Sequence, residues 1–175
     1  MLPEMRNMAN GMGVGVGARQ AAGPLAGALR SMAVISGTDG AALMLAAAPS
    51  GLRAVGGSSP EGLNLQYAQQ SVQAGPALDA VSTDRPVGVV DLDGHHDRPG
   101  YARLALTAAP VRAVLAVPVH VRGDVVGALN FYRCTPCTWT KRQIVVGEHL
   151  ADTAADLLVR LAARPAAGDG AHGRP

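Results

Sequence analysis

Aromatic side chains are nearly absent from this 175-residue chain: Phe, Trp and Tyr together make up 3% of it. A core must therefore be assembled from Ala, Val and Leu. Small side chains let elements approach closely but bury less apolar area each. Lysine is scarcer still, with Lys141 the only one; the other basic residues are Arg, scattered singly along the chain. A net charge of +2 without a basic stripe argues against a direct nucleic-acid surface. Long apolar runs are lacking too. The longest, Ala41 to Pro49, is far too short to span a bilayer. The first residues carry Glu4 and Arg6 and no apolar signal core. These absences predict a cytoplasmic chain with no membrane partner. In that compartment Cys134 and Cys137 stay reduced by default. The Ala, Gly, Val and Arg bias is that of a GC-rich bacterial genome.

What remains is ample for a fold. Hydrophobic residues make up 48% of the chain, and its length suits one domain with short tails. The expected division is a flexible segment at 1–17, a domain at 18–163 and a disordered tail at 164–175. The glycines of 11–17 include Gly13-x-Gly15-x-x-Ala18. A phosphate-binding loop needs a strand before such a pattern, and none precedes it. The reading is therefore a linker.

Periodicity predicts a helix over 23–36, opened by Pro24 and striped by Leu25, Ala28, Leu29, Met32 and Ile35. Strands follow at 41–48 and 52–57 across Pro49-Ser50-Gly51. A short helix begins near Pro60 and runs to about Gln70, and another opens at Gly75-Pro76. A buried-type strand is expected at 87–92, then a polar loop and a helix over 99–109. Two apolar strands, 111–121 and 124–133, turn at Arg122-Gly123-Asp124. On the second, Val126, Ala128 and Asn130 share one alternation and Val125, Gly127, Leu129 and Phe131 the other. Such a hairpin belongs in the middle of an antiparallel sheet with both faces covered. A last helix over 139–163 carries two apolar stripes: Val146, Leu150, Ala154, Leu157 and Leu161, and Val145, Ala151, Ala155, Leu158 and Ala162.

Several phrases in this order resemble GAF domains, particularly those of actinobacterial regulators. They are Gly37-Thr38-Asp39-Gly40-Ala41-Ala42-Leu43-Met44-Leu45, Gly75-Pro76-Ala77-Leu78-Asp79-Ala80, Val87 to Leu92, and the strand pair ending at Tyr132. The resemblance covers about 22–162. It implies an α+β fold with a central five- or six-stranded antiparallel sheet. The N- and C-terminal helices lie on one face, with short helices and loops on the other. It also implies a sensor rather than an enzyme, with no catalytic residues and a small-molecule ligand of unknown identity. Similar regulators often carry Gly-Glu-Gly-Pro-Cys before Leu-Asp-Ala, where this chain has Gln73-Ala74-Gly75-Pro76-Ala77. They also often continue into an RNA-binding ANTAR helical domain, which these 175 residues do not contain.

The candidate ligand-binding residues are Tyr67, Leu78, Asp91, His95, His96 and Tyr101. The loop 91–97 and the helix after it form part of the pocket wall in the resembled fold. Tyr67, with Gln69, Gln70 and Gln73, stands on a lid, although an exposed polar helix face explains these residues equally. Asp91, Asp93, His95, His96 and Asp97 could hold a metal, but the spacing matches no standard site. A solvated loop is the plainer reading, so no metal is expected and the cofactor is unknown. Cys134-Thr135-Pro136-Cys137 is a CxxC before the last helix. A helix N-terminus can lower a thiol pKa, which allows a redox switch; an incidental loop pair is the simpler alternative. The second stripe of the last helix predicts a homodimer through the terminal helices, unless that broad face covers its own sheet. An unidentified output protein would receive the signal. A ligand-free dimerisation adaptor is the remaining alternative.

Overall fold

The computed structural model describes the backbone of residues 16–163 and the side chains of 23–163. The tail at 164–175 and all but the last two residues of the N-terminal segment lie outside the described residues. The first helix, α1 (Val16–Ser36), starts earlier than expected and carries Pro24 inside it. Proline there removes one helical N–H but does not stop the helix. Two strands follow, β1 (Gly40–Ala47) and β2 (Gly51–Gly57), then helices α2 (Pro60–Val72) and α3 (Pro76–Thr83). Strand β3 is only Val87–Val89, shorter than expected. A 3-10 turn at Leu92–Gly94 leads to α4 (Pro99–Ala108). Strands β4 (Ala113–Val121) and β5 (Asp124–Arg133) form the central hairpin, and α5 (Lys141–Ala162) closes the chain.

The five strands lie in the order β2-β1-β5-β4-β3, with every pair antiparallel. Arg122 and Gly123 both hold positive φ, at 54° and 87°, as a tight hairpin turn that follows the strand twist requires. Strand β5 occupies the centre and is buried on both faces from Val126 to Tyr132.

One face of the sheet packs on α1 and α5. Ala41, Leu43 and Leu45 of β1, Leu115, Val117 and Val119 of β4, and Leu129 and Phe131 of β5 meet Leu25, Leu29, Met32, Leu150, Ala154 and Leu158. Val126 joins this face and not the alternation of Ala128 and Asn130. The register slips between Val119 and His120, and a bulge re-aims the residue it leaves unpaired. The two stripes expected on α5 are one: Gly147, Leu150, Ala151, Ala154, Ala155 and Leu158 are buried together. Their spacing of three and four residues makes a single wide face. Val145 and Val159 stay exposed, as do Val34 and Ile35 of α1. Ile35 therefore leaves the stripe predicted for it.

The opposite face carries Ala42, Met44, Val114, Ala116, Ala128, Asn130 and Tyr132, covered by α2, α3 and α4. Tyr132 anchors α2 here: its hydroxyl lies 2.7 Å from Ser59 Oγ, and Ser59 caps the helix. Gly40 makes room for that ring, since a side chain there would overlap it.

Candidate functional site

Two recesses open beside α3. The first holds about 410 Å³ and is almost wholly apolar, bounded by Ala46, Pro49, Leu52, Leu78 and Val81 at the end of the β1–β2 hairpin. The second is a cleft of about 330 Å³ between α3, β3 and the loop leading to α4. Pro76 and Asp79 form one wall, Val87, Gly88 and Val89 another, and His95, Asp97 and Arg98 the third. Arg98 Nη2 reaches Asp79 Oδ1 at 2.7 Å, so an ion pair ties the α3 wall to the start of α4. That pair raises the Arg98 pKa, through the hydrogen bond first and the charge of Asp79 second.

The loop itself is fixed from below. Arg112 grips Asp91 with both arms, Nε to Oδ1 at 2.8 Å and Nη2 to Oδ2 at 2.8 Å. Asp91 Oδ1 also accepts from the Asp93 N–H at 3.1 Å, which starts the 3-10 turn. The Arg112 hydrogen bonds hold the Asp91 carboxyl below its ordinary 3.8, against the opposing effect of desolvation.

Behind the cleft wall lies a buried polar cluster. Gln66, Gln69 and Asn130 have no exposed surface. Gln69 Nε2 donates to Gln66 Oε1 at 3.0 Å, and Asn130 Nδ2 donates to the same oxygen at 3.2 Å. Gln66 Nε2, Asn130 Oδ1 and the Tyr101 hydroxyl have no partner. Burying such an atom unpaired costs about 1–3 kcal/mol. Burial also pushes the Tyr101 phenol far up, so it stays protonated and able to donate.

The sequence-predicted residues fall in different places. His95 lines the cleft. Tyr101 is 1% exposed, in the core between α4 and the sheet beside Leu65, Leu92 and Val114. Leu78 faces the apolar recess. Asp91 is engaged by Arg112 and positions the loop. His96 points outward, and Tyr67 is 52% exposed on the outer side of α2. Of Gln69, Gln70 and Gln73, the polar residues expected beside Tyr67, Gln69 is the one fully buried. Sequence reasoning missed Gln66 and Asn130 as site residues. The signal for Gln66 was helical spacing: Gly62, Leu65, Gln66 and Gln69 fall at i, i+3, i+4 and i+7, one face of α2. For Asn130 it was one amide in an otherwise apolar central strand.

Among the described residues no group of three or more His, Cys, Asp or Glu side chains is placed to hold a metal ion. The CxxC departs from the redox reading. Helix α5 begins only at Lys141, so neither cysteine lies at its N-terminus. Burial, and after it the carboxylate of Asp39, pushes the Cys134 thiol up from 9.0. The Cys134 N–H donates to Asp39 Oδ2 at 2.7 Å, which makes this a strand-end brace. His120, at the sheet edge, pairs with Asp84 at 2.7 Å.

The segment after the cysteines joins the cleft to α5. The Trp139 indole N–H donates to the Val89 carbonyl at 3.1 Å, and the Cys137 N–H donates to the Val90 carbonyl at 3.0 Å. A Cβ on Gly88 would come within 2.9 Å of the Trp139 ring. The next residue, Thr140, caps α5 in a reciprocal box with Gln143.

The architecture is thus a five-stranded antiparallel sheet with terminal helices on one side and short helices around a cleft on the other. The chain belongs to the GAF domain family, whose model matches residues 21–158. No curated protein matches it in sequence. Solved structures similar to it include a domain from a protein assigned as a two-component sensor histidine kinase of Sinorhizobium meliloti 1021 (TM-score 0.63, 15% identity, 78% of this chain and 89% of that one). Another is the type II free methionine-R-sulfoxide reductase of Thermoplasma acidophilum (TM-score 0.60, 15% identity, 81% and 94%). A third is the blue-light absorbing form of the PixJ GAF domain of Thermosynechococcus elongatus (TM-score 0.55, 17% identity, 85% and 90%). At these identities the likeness is one of fold. GAF domains serve mostly in signalling and regulation, although the similar structures include a reductase. No helix among the described residues is long and apolar enough to cross a membrane.

Proposed function

We propose that this chain is a non-catalytic sensory GAF module that takes a small molecule on the α2–α4 side of its sheet. The observation that carries the reading is the cleft between α3, β3 and the 95–98 loop, with its mixed polar and apolar lining. It lies across the sheet from α1 and α5, so a guest and an output surface need not compete for space. Arg98 and Asp79 tie two of its walls, and a guest that favours one spacing of those walls shifts their population.

The link to the far side is short. Strand β3 floors the cleft, and its Val89 carbonyl holds the indole of Trp139, one residue before the α5 cap. A displaced β3 therefore moves the start of α5. From there the signal passes to an unidentified output protein. Exposed Val34 and Ile35 on α1 and Val145 and Val159 on α5 support a homodimer through the terminal helices.

The test is a thermal-shift screen of the full chain against polar metabolites of neutral, anionic and cationic classes, with Trp139 emission as a second readout. The expected result is at least one class that raises Tm and moves the emission, both weakened in His95→Ala. A ligand-free adaptor would show neither change with any class.

A further inference from the structure

The geometry points to a neutral ligand group carrying adjacent hydrogen-bond donor and acceptor atoms, a primary amide or a lactam, read by Gln66 and Asn130. This inference rests on the sensory reading above and names the chemistry of its guest.

One backbone amide sets the orientation of the whole cluster. The Ala77 N–H donates to Gln69 Oε1 at 2.8 Å, and a backbone donor fixes which end of the Gln69 amide is oxygen. Gln69 Nε2 must then donate, so the Gln66 atom it meets at 3.0 Å is the oxygen. Asn130 meets that same oxygen at 3.2 Å and the Ala128 carbonyl at 3.4 Å, so it presents nitrogen to both. The three amides are thus oriented in sequence from Ala77, with no free choice among them.

Gln66 and Asn130 form half of an amide pair. Two side-chain amides that face each other squarely exchange two hydrogen bonds. Here one is made, from Asn130 Nδ2 to Gln66 Oε1, and the other is open: Gln66 Nε2 and Asn130 Oδ1 are both buried and unpartnered. An open donor on one amide and an open acceptor on the amide bonded to it match a group that accepts at one atom and donates at the next. Amides and lactams have that edge; carboxylates, phosphates and ammonium groups do not. The fully buried polar side chains among the described residues are Gln66, Gln69 and Asn130, all uncharged. An ionised group reaching them would meet no counter-charge, and a desolvated unpaired charge is strongly disfavoured.

The first turn of α3 separates the buried cluster from the cleft. Pro76 lines the cleft, and the next residue, Ala77, holds Gln69. Before them Gly75 takes φ 137°, and a Cβ there would approach Gln69 Oε1 to 2.6 Å. The turn therefore lies directly on the cluster, and an outward shift of α3 would open the cluster toward the cleft.

The experiment titrates the full chain with 2-pyridone and benzamide. N-methyl-2-pyridone, which lacks the donor, and benzoate, the charged counterpart of benzamide, serve as controls. Thermal shift and calorimetry are the readouts. Both neutral probes are expected to bind, with N-methyl-2-pyridone and benzoate at least tenfold weaker. Asn130→Leu keeps the side-chain size and removes the unpaired oxygen. It is expected to melt no lower than the parent without probe, yet to lose tenfold or more in affinity for 2-pyridone. Asn130→Thr, suited to a strand, repeats the affinity measurement should the leucine variant not fold. Equal binding of N-methyl-2-pyridone, or undiminished binding by the Asn130 variants, would overturn the inference. So would a Tm fall of several degrees in Asn130→Leu, which would mark the cluster as structural. Binding of benzoate alone would also overturn it while leaving the sensory reading intact. Binding of no probe and no compound in the wider screen would remove both.

Discussion

The two faces of one sheet are built to different rules. Toward α1 and α5, β5 presents Leu129 and Phe131 to a closed layer of Leu, Val, Ala and Met. Toward α2, α3 and α4, the same strand presents Asn130, half of an incomplete amide pair, and Tyr132, which braces a helix cap through Ser59. The apolar cover there is divided between two clusters, one around Tyr101 and one around Met44. Neighbouring positions on a single strand thus carry stability on one side and unmet hydrogen-bonding capacity on the other. A fold that keeps unpaired polar atoms at its centre gives up stability there, a cost that functional sites are known to carry.

The largest expected effect tests the helix side. Phe131→Ala empties the centre of that layer and should cost about 3–5 kcal/mol, a Tm fall of roughly 10 °C or more by calorimetry. A loss near zero would mean that the two faces do not differ as described. Next in size is Thr140→Ala, which removes the α5 cap and should cost about 1 kcal/mol in a urea melt. If α5 is also the output element, the same variant should blunt the ligand-linked change in Trp139 emission.

On the cleft side, the sharper effect is in pH. The Asp91 carboxyl is depressed in the folded chain, chiefly by hydrogen bonds from Arg112. Its contribution to stability is therefore full above the ordinary carboxylate value and fades as pH falls through the lowered one. Asp91→Asn should melt below the parent at pH 7, and that gap should close on acidification below about pH 4. A gap that persists at low pH would show that the Arg112 clamp is not its source. The smallest effect is expected from Gly88→Ala. Its methyl group would crowd the Trp139 indole, shifting the emission of the chain's one tryptophan with little change in Tm. Unaltered emission would place the indole off β3.

Much of the fold was legible because its signals are local. Val117, Val119 and Val121 alternate, Arg122-Gly123 punctuates the hairpin, and Pro60, Pro76 and Pro99 open helices where proline is tolerated. The errors were local too. Pro24 invited a helix start it does not make, since an interior proline can be carried by a helix packed on a sheet. The bulge near His120 moved Val126 across the sheet, and no residue type announces a bulge. The site was less legible because it joins distant residues. Asp91 was expected at the ligand, and its two-armed pairing with Arg112, twenty-one residues away, is not announced by the sequence. Tyr67 and Gln66 are neighbours in sequence, and one hundred degrees of helix separates an exposed ring from a buried amide. Asn130 passed as one member of an alternation with Val126 and Ala128, because its meaning depends on Gln66 of α2, which only the folded chain supplies.

The most direct measurement is Trp139 emission recorded together with Tm across the neutral, anionic and cationic compounds of the screen. The account predicts that compounds raising Tm also move the emission saturably, because the cleft floor and the start of α5 share the Val89–Trp139 hydrogen bond. Stabilising compounds that leave the emission still, or a screen in which nothing stabilises the chain, would contradict it.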